Sequence, residues 1–163
     1  MPKELHKILA INPGTRYFAI AEFHGHELTD WRMKVIRGKW SKDKFRKIKL
    51  LIRSLIKEYE PDAVVIKKLR RFRSSENLKN IVRTIKQIIK RRNLRVYEYS
   101  NKDLKSYYSP DKKMNKMIMA QLLALRYPAL WHEFNKERNN KNPYYKRIFE
   151  AIAIGEVCSE ELD

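Results

Sequence analysis

Ile8-Leu9-Ala10-Ile11-Asn12-Pro13-Gly14-Thr15-Arg16-Tyr17-Phe18-Ala19-Ile20-Ala21 decides how this chain reads. Two short apolar runs flank Pro13-Gly14, a dipeptide that turns the backbone. Residues 7–12 are short and nearly all apolar, which suits a strand buried on both faces. Residues 16–24 read as a second strand, Gly25 as a turn, and residues 27–36 as a third strand. Strands joined in succession by short turns form an antiparallel meander.

Working outward, Ser41 reads as the N-cap of a helix over 42–59. Its Phe45, Ile48, Leu51, Ile52, Leu55 and Ile56 recur at spacings of three and four, giving one apolar stripe. Lys42, Lys44, Lys47 and Lys49 read as the outer face of that helix and as a general positive field. Pro61-Asp62 opens a strand, Ala63-Val64-Val65-Ile66, and a second amphipathic pattern covers 75–92 through Leu78, Ile81, Val82, Ile85, Ile88 and Ile89. Residues 94–99 read as a fifth strand. Helices follow over about 101–107, 112–126 and 144–158. The Asn- and Lys-rich segment 127–143, with Pro128 and Pro143 at its ends, reads as an exposed loop. Strands linked by helices imply parallel pairing in the second half of the chain. The expected architecture is therefore α/β, a single domain over residues 1–163. Its mixed five-stranded sheet combines the antiparallel three-strand meander with two parallel strands, flanked by helices.

Composition limits what such a domain does. The 163 residues carry a formal charge of +18, which points to a polyanionic partner. The excess is local, because residues 32–116 hold 28 of the 37 Lys and Arg but only 8 of the 19 acids. No apolar run approaches the ~20 residues of a membrane span, and the first residues lack the apolar core of a signal peptide. The expected location is the cytoplasm, with no membrane partner. One cysteine, Cys158, excludes an intrachain disulfide and a cysteine-cluster zinc site. Four glycines leave no room for a Gly-rich phosphate loop. The spacing His24-x-His26 reads as a solvated turn, and the Tyr107-Tyr108 and Tyr144-Tyr145 pairs as anchors of a core or interface. Trp31 and Trp40 read as packing or dimer contacts.

Five separated segments, in order, resemble the RuvC-type Holliday-junction resolvases. Ile8–Ala21 resembles their opening strand pair, ILGIDPGT followed by an apolar strand. Residues 61–67 resemble the next central strand, which ends in Glu. Residues 96–100 with Lys105 resemble the fifth strand and the helix after it, and residues 113–128 the helix that follows. Ile148-Phe149-Glu150-Ala151-Ile152-Ala153-Ile154 resembles a last helix of pattern Asp-x-x-Asp-Ala-hydrophobic-Ala. The resemblance implies a ribonuclease H-like fold, a homodimer acting on four-way junctions, and nucleic-acid cleavage by two Mg²⁺ ions about 4 Å apart.

The four acidic positions that such chemistry requires are occupied here by Asn12, Lys67, Arg147 and Glu150. Hard dications close together need several anionic oxygens. One anion among two cations repels them instead, by about 4 kcal/mol per pair of unit charges at 4 Å and an effective dielectric near 20. The expectation is a Lys67–Glu150 pair, with Asn12 hydrogen-bonded beside it. No resident metal is expected; Glu150 is the one candidate ligand, and Mg²⁺ enters only if cleavage is retained. A reading in which the cluster is rebuilt invokes other acids, Glu22 or Asp62. Around these positions, Lys67, Lys68, Arg70, Arg71, Phe72 and Arg73 follow the end of a central strand, where α/β sheets bind ligands. Lys112, Lys113 and Lys116 fall where the resemblance places a second phosphate-contacting edge. The expected function is binding of branched or duplex nucleic acid, DNA favoured over RNA, without cleavage of the usual kind. Two alternatives are a divergent metal-dependent endonuclease using Glu150 and a non-catalytic subunit of a nucleoprotein complex.

Overall fold

The computed structural model describes residues 5–70, 74–110, 116–140 and 143–162. Its elements run β1 (Lys7–Asn12), β2 (Tyr17–His24), β3 (Glu27–Val35), α1 (Lys42–Tyr59), β4 (Ala63–Lys67), α2 (Glu76–Arg91) and β5 (Arg95–Tyr99). They continue with α3 (Asn101–Tyr108), α4 (Lys116–Arg126), a 3-10 turn (Pro128–Leu130), α5 (Trp131–Asn140) and α6 (Pro143–Glu161). The sheet order is β3-β2-β1-β4-β5. β1 pairs antiparallel with β2 and β2 with β3, while β1–β4 and β4–β5 are parallel. This is the mixed five-stranded sheet expected from the sequence.

Alternation along the strands sorts the core into two layers. Leu9, Ile11, Phe18, Ile20, Val64 and Ile66 face α1 and α2. Ile8, Ala10, Ala19, Ala21, Phe23 and Val65 face the layer containing α6. The helix ends follow their cap residues: the Ser41, Ser75 and Ser100 hydroxyls each accept from a backbone N–H in the first turn. Ser100 and Asp103 cap each other reciprocally at α3.

The described part of the segment 127–143, residues 127–140, is not a loop but a 3-10 turn and a helix. Pro128 starts the 3-10 turn, where its fixed φ and missing N–H cost nothing. Leu130 and Phe134, four apart, are buried against α4 and α6. Ala129 and Trp131 are exposed between them, so the apolar residues of this run form no periodic stripe to read from sequence. A second correction concerns Lys44, which is only 7 % exposed and not part of the outer face. Its Nζ donates to the Gly38 carbonyl at 2.8 Å and ties down the turn before α1.

α6 crosses the sheet over small residues. A Cβ at Gly155 would lie 2.2 Å from the Phe23 ring and 3.2 Å from the Ala10 Cβ. Phe23 is fully buried and has nowhere to swing. Gly155→Ala is therefore expected to lower unfolding free energy by about 1–3 kcal/mol through overpacking, read as a shifted urea midpoint with unchanged slope.

Candidate nucleic-acid interface

Asn12 stands two residues after Ala10 and Lys67 two after Val65, so the strand period aims both side chains at the α6 layer. The parallel register pairs Ile11 with Ile66, which makes Asn12 and Lys67 neighbours at the carboxyl ends of adjacent central strands. Arg147 and Glu150 share one face of α6, three residues apart. The four positions meet.

At the centre is Glu150, 8 % exposed. Its Oε2 accepts from Lys67 Nζ at 3.2 Å and from Asn12 Nδ2 at 3.3 Å. Its Oε1 accepts from Lys116 Nζ at 2.5 Å. Asn12 Nδ2 also donates to the Arg147 carbonyl at 3.2 Å, fixing the amide with its nitrogen toward the carboxylate. Arg147 folds over the Pro13-Gly14 turn, with Nη1 3.4 Å from the Pro13 carbonyl. Gly14 permits this approach, since a Cβ there would lie 2.5 Å from the Tyr17 carbonyl oxygen and 2.9 Å from the Arg147 guanidinium.

Burial pushes the Glu150 carboxyl up, but the Lys67 and Lys116 ammonium groups outweigh it and hold it below the ordinary carboxylate range. Burial lowers Lys67 and Arg147, against the pull of Glu150. For Glu150, a folded value below the unfolded one of about 4.3 means its contribution to stability is complete above that pH. It is lost as pH falls through the folded value. The gap in thermal midpoint between the natural chain and Glu150→Gln is expected to narrow as pH falls below about 4.3, in a series of melts from neutrality to acid.

These residues open onto a cleft of about 300 Å³. Among the described residues its lining carries six cations, Lys67, Lys68, Arg70, Lys116, Lys146 and Arg147, and one carboxylate, Glu150. Lys116, read from sequence as an outlying phosphate contact, reaches into the centre of the site. Arg71, Phe72, Arg73, Lys112 and Lys113 lie outside the described residues. Lys146, Asn101 and Ser74 also line the cleft and were not anticipated. Asn101 was findable, since it follows the end of β5, the next parallel strand at the same edge of the sheet.

Neither alternative acid joins the cleft. Glu22 pairs across from Leu9 rather than near Asn12, and it forms an ion pair with Arg32 at 2.9 Å. Asp62 accepts from the Lys7 backbone N–H at the opposite end of β1. His26 contacts Ser159 Oγ at 2.7 Å. Cys158 is buried, and burial beside Glu161 pushes its thiol up to about 12. No group of three or more His, Cys, Asp or Glu able to hold a metal occurs among the described residues. The donor set where the resemblance would put the metals, one carboxylate bound to two ammonium groups and an amide N–H, does not fit Mg²⁺. Among the described residues, no helix is long and apolar enough to cross a membrane.

No protein-family model and no curated protein sequence matches the chain. Solved structures do. The chain superposes on Thermus thermophilus RuvC with a TM-score of 0.69 at 13 % identity, covering 92 % of this chain and 91 % of that one. The yeast mitochondrial Holliday junction resolvase Ydc2 matches at 0.63 and 15 %, covering 94 % and 78 %. The fowlpox virus resolvase in complex with Holliday junction DNA matches at 0.59 and 17 %, covering 96 % and 98 %. Over most of its length, the fold of this chain is that of the RuvC-type Holliday-junction resolvases.

Proposed function

We propose that this chain binds branched or duplex DNA in the cleft through its phosphodiester groups and does not cut it by the two-metal route. The observation that carries this reading is the Lys67–Glu150 contact, 3.2 Å long and nearly buried, in a cleft where cations outnumber carboxylates six to one. Lys67 is held at the wall of the cleft by Glu150. Arg70 and Arg147 add planar forks suited to phosphate. The structural neighbours include RuvC in complex with a Holliday junction substrate and a viral resolvase with junction DNA, which favours a branched form. A homodimer, as the resemblance implies, would set two such clefts against one junction.

Phosphate-driven binding releases counterions, so affinity is expected to fall linearly with salt on logarithmic axes. Removing Lys68 and Arg70 together is expected to reduce that slope by about two, one per lost phosphate contact, in filter-binding or anisotropy titrations. At matched ionic strength the affinity is expected to be the same in EDTA and in Mg²⁺. A requirement for Mg²⁺ would contradict the reading.

A further inference from the structure

A second groove of about 500 Å³ lies between the start of α1 and the second and third turns of α2. Trp40, Lys42 and Phe45 line one wall, and Asn80, Arg83 and Thr84 the other. We infer that this groove is a second nucleic-acid subsite, taking an unstacked base against Trp40 and the adjoining phosphate on Arg83 and Lys42. The inference rests on the proposed binding of nucleic acid in the cleft and adds the form bound, a strand with unpaired bases.

The aromatic wall is preset. Trp40 and Phe45 pack with centroids 5.7 Å apart and planes tilted by 57°. Lys49 Nζ lies 4.6 Å from the Phe45 centroid, so that ring already has a cation over it. Trp40 is the aromatic left to receive a base, and base–aromatic stacking tolerates any sequence. Opposite it, Arg83 is exposed, with Nη1 held at 3.0 Å by the Asn80 side chain on the preceding turn. The charged residues lining the groove, Lys42 and Arg83, are both cationic; Asp43, beside Lys42, and Glu76, at the start of α2, do not line it. A polyanion fits that rim, whereas a second copy of this face would bring the same cations against one another.

α2 joins the two sites. Leu78 lines the cleft and Arg83 the groove, on one helix. Five residues of helix rise about 7.5 Å and turn about 140°, so a strand leaving the cleft reaches the groove by passing around α2. Stacking there would hold open a base already freed at a branch point.

The test uses the full chain with three probes: a ten-residue oligo-dT, a linear duplex and a four-way junction. Oligo-dT is expected to quench tryptophan emission in the natural chain. Trp40→Phe, which removes that fluorophore but keeps Trp31 and Trp131, is expected to abolish the quench. Trp40→Leu and Arg83→Ala are each expected to weaken oligo-dT and junction binding about tenfold while leaving duplex binding within about twofold. Lys68→Ala with Arg70→Ala weakens all three probes. Arg83 is exposed, so Arg83→Ala decides the matter if Trp40→Leu fails to fold. Unchanged oligo-dT and junction affinity in the groove variants, with the cleft variants impaired, overturns this inference and leaves the cleft reading intact. No binding of any probe overturns both. A change of sedimenting mass in Arg83→Ala at unchanged affinity overturns it in favour of a second copy in the groove.

Discussion

A chain carrying Asn12→Asp, Lys67→Glu and Arg147→Asp is expected to bind Mn²⁺ many orders of magnitude more tightly than the natural one. The four positions change from a net charge of +1 to −4 around a point that Glu150 already faces. A unit charge and a dication 4 Å apart interact by about 8 kcal/mol at an effective dielectric near 20, and three such terms become favourable together. Solvent and side-chain motion take back much of this, but the sign is secure. Without metal, the variant gathers four carboxylates with Lys116 as the nearest counter-charge and is expected to melt lower than the natural chain. Adding Mn²⁺ should then raise its midpoint with the logarithm of metal concentration, as for any ligand bound by the folded state alone. The natural chain should show no comparable rise. Equal metal-dependent shifts in both proteins would mean that the natural cleft already binds the ion.

The second large effect concerns stability. Glu150→Gln keeps the volume and one acceptor oxygen but leaves the Lys67 ammonium unpaired at 7 % exposure. Removing one partner of a buried pair typically costs about 3–5 kcal/mol, because the other charge remains desolvated. For a domain of this size that is a fall in thermal midpoint of roughly 10 °C. Lys67→Met is expected to cost much less, since Glu150 keeps Lys116 at 2.5 Å and the Asn12 amide at 3.3 Å. A larger loss from Lys67→Met than from Glu150→Gln would contradict the placement of Glu150 as the hub.

Much of the fold was legible because the strands are short, apolar and separated by Pro or Gly. The helix stripes in 42–59 and 75–92 are strongly periodic, and burial follows them. α5 was hidden because Phe134, with Leu130 of the turn before it, is buried while the neighbouring Ala129 and Trp131 are exposed, which leaves no periodic stripe. Lys44 was misread because sequence spacing shows which face a side chain leaves from, not where a long lysine ends; Nζ turns back to the Gly38 carbonyl. At the site, the resemblance named Asn12, Lys67, Arg147 and Glu150 as one set, and strand alternation with i, i+3 spacing is how the fold joins them. The reach of Lys116 to Glu150 was not readable, because it depends on how α4 packs on α6. The groove at Trp40 also needs three dimensions, since its two walls come from helices more than thirty residues apart.

The central claim is binding without two-metal cleavage. The most direct test incubates the natural chain with an end-labelled four-way junction in EDTA, Mg²⁺ and Mn²⁺, reading retention on a native gel and strand integrity on a denaturing one. The account predicts equal retention in all three, with every strand intact. Symmetric nicks that require metal and vanish in Glu150→Gln would contradict it.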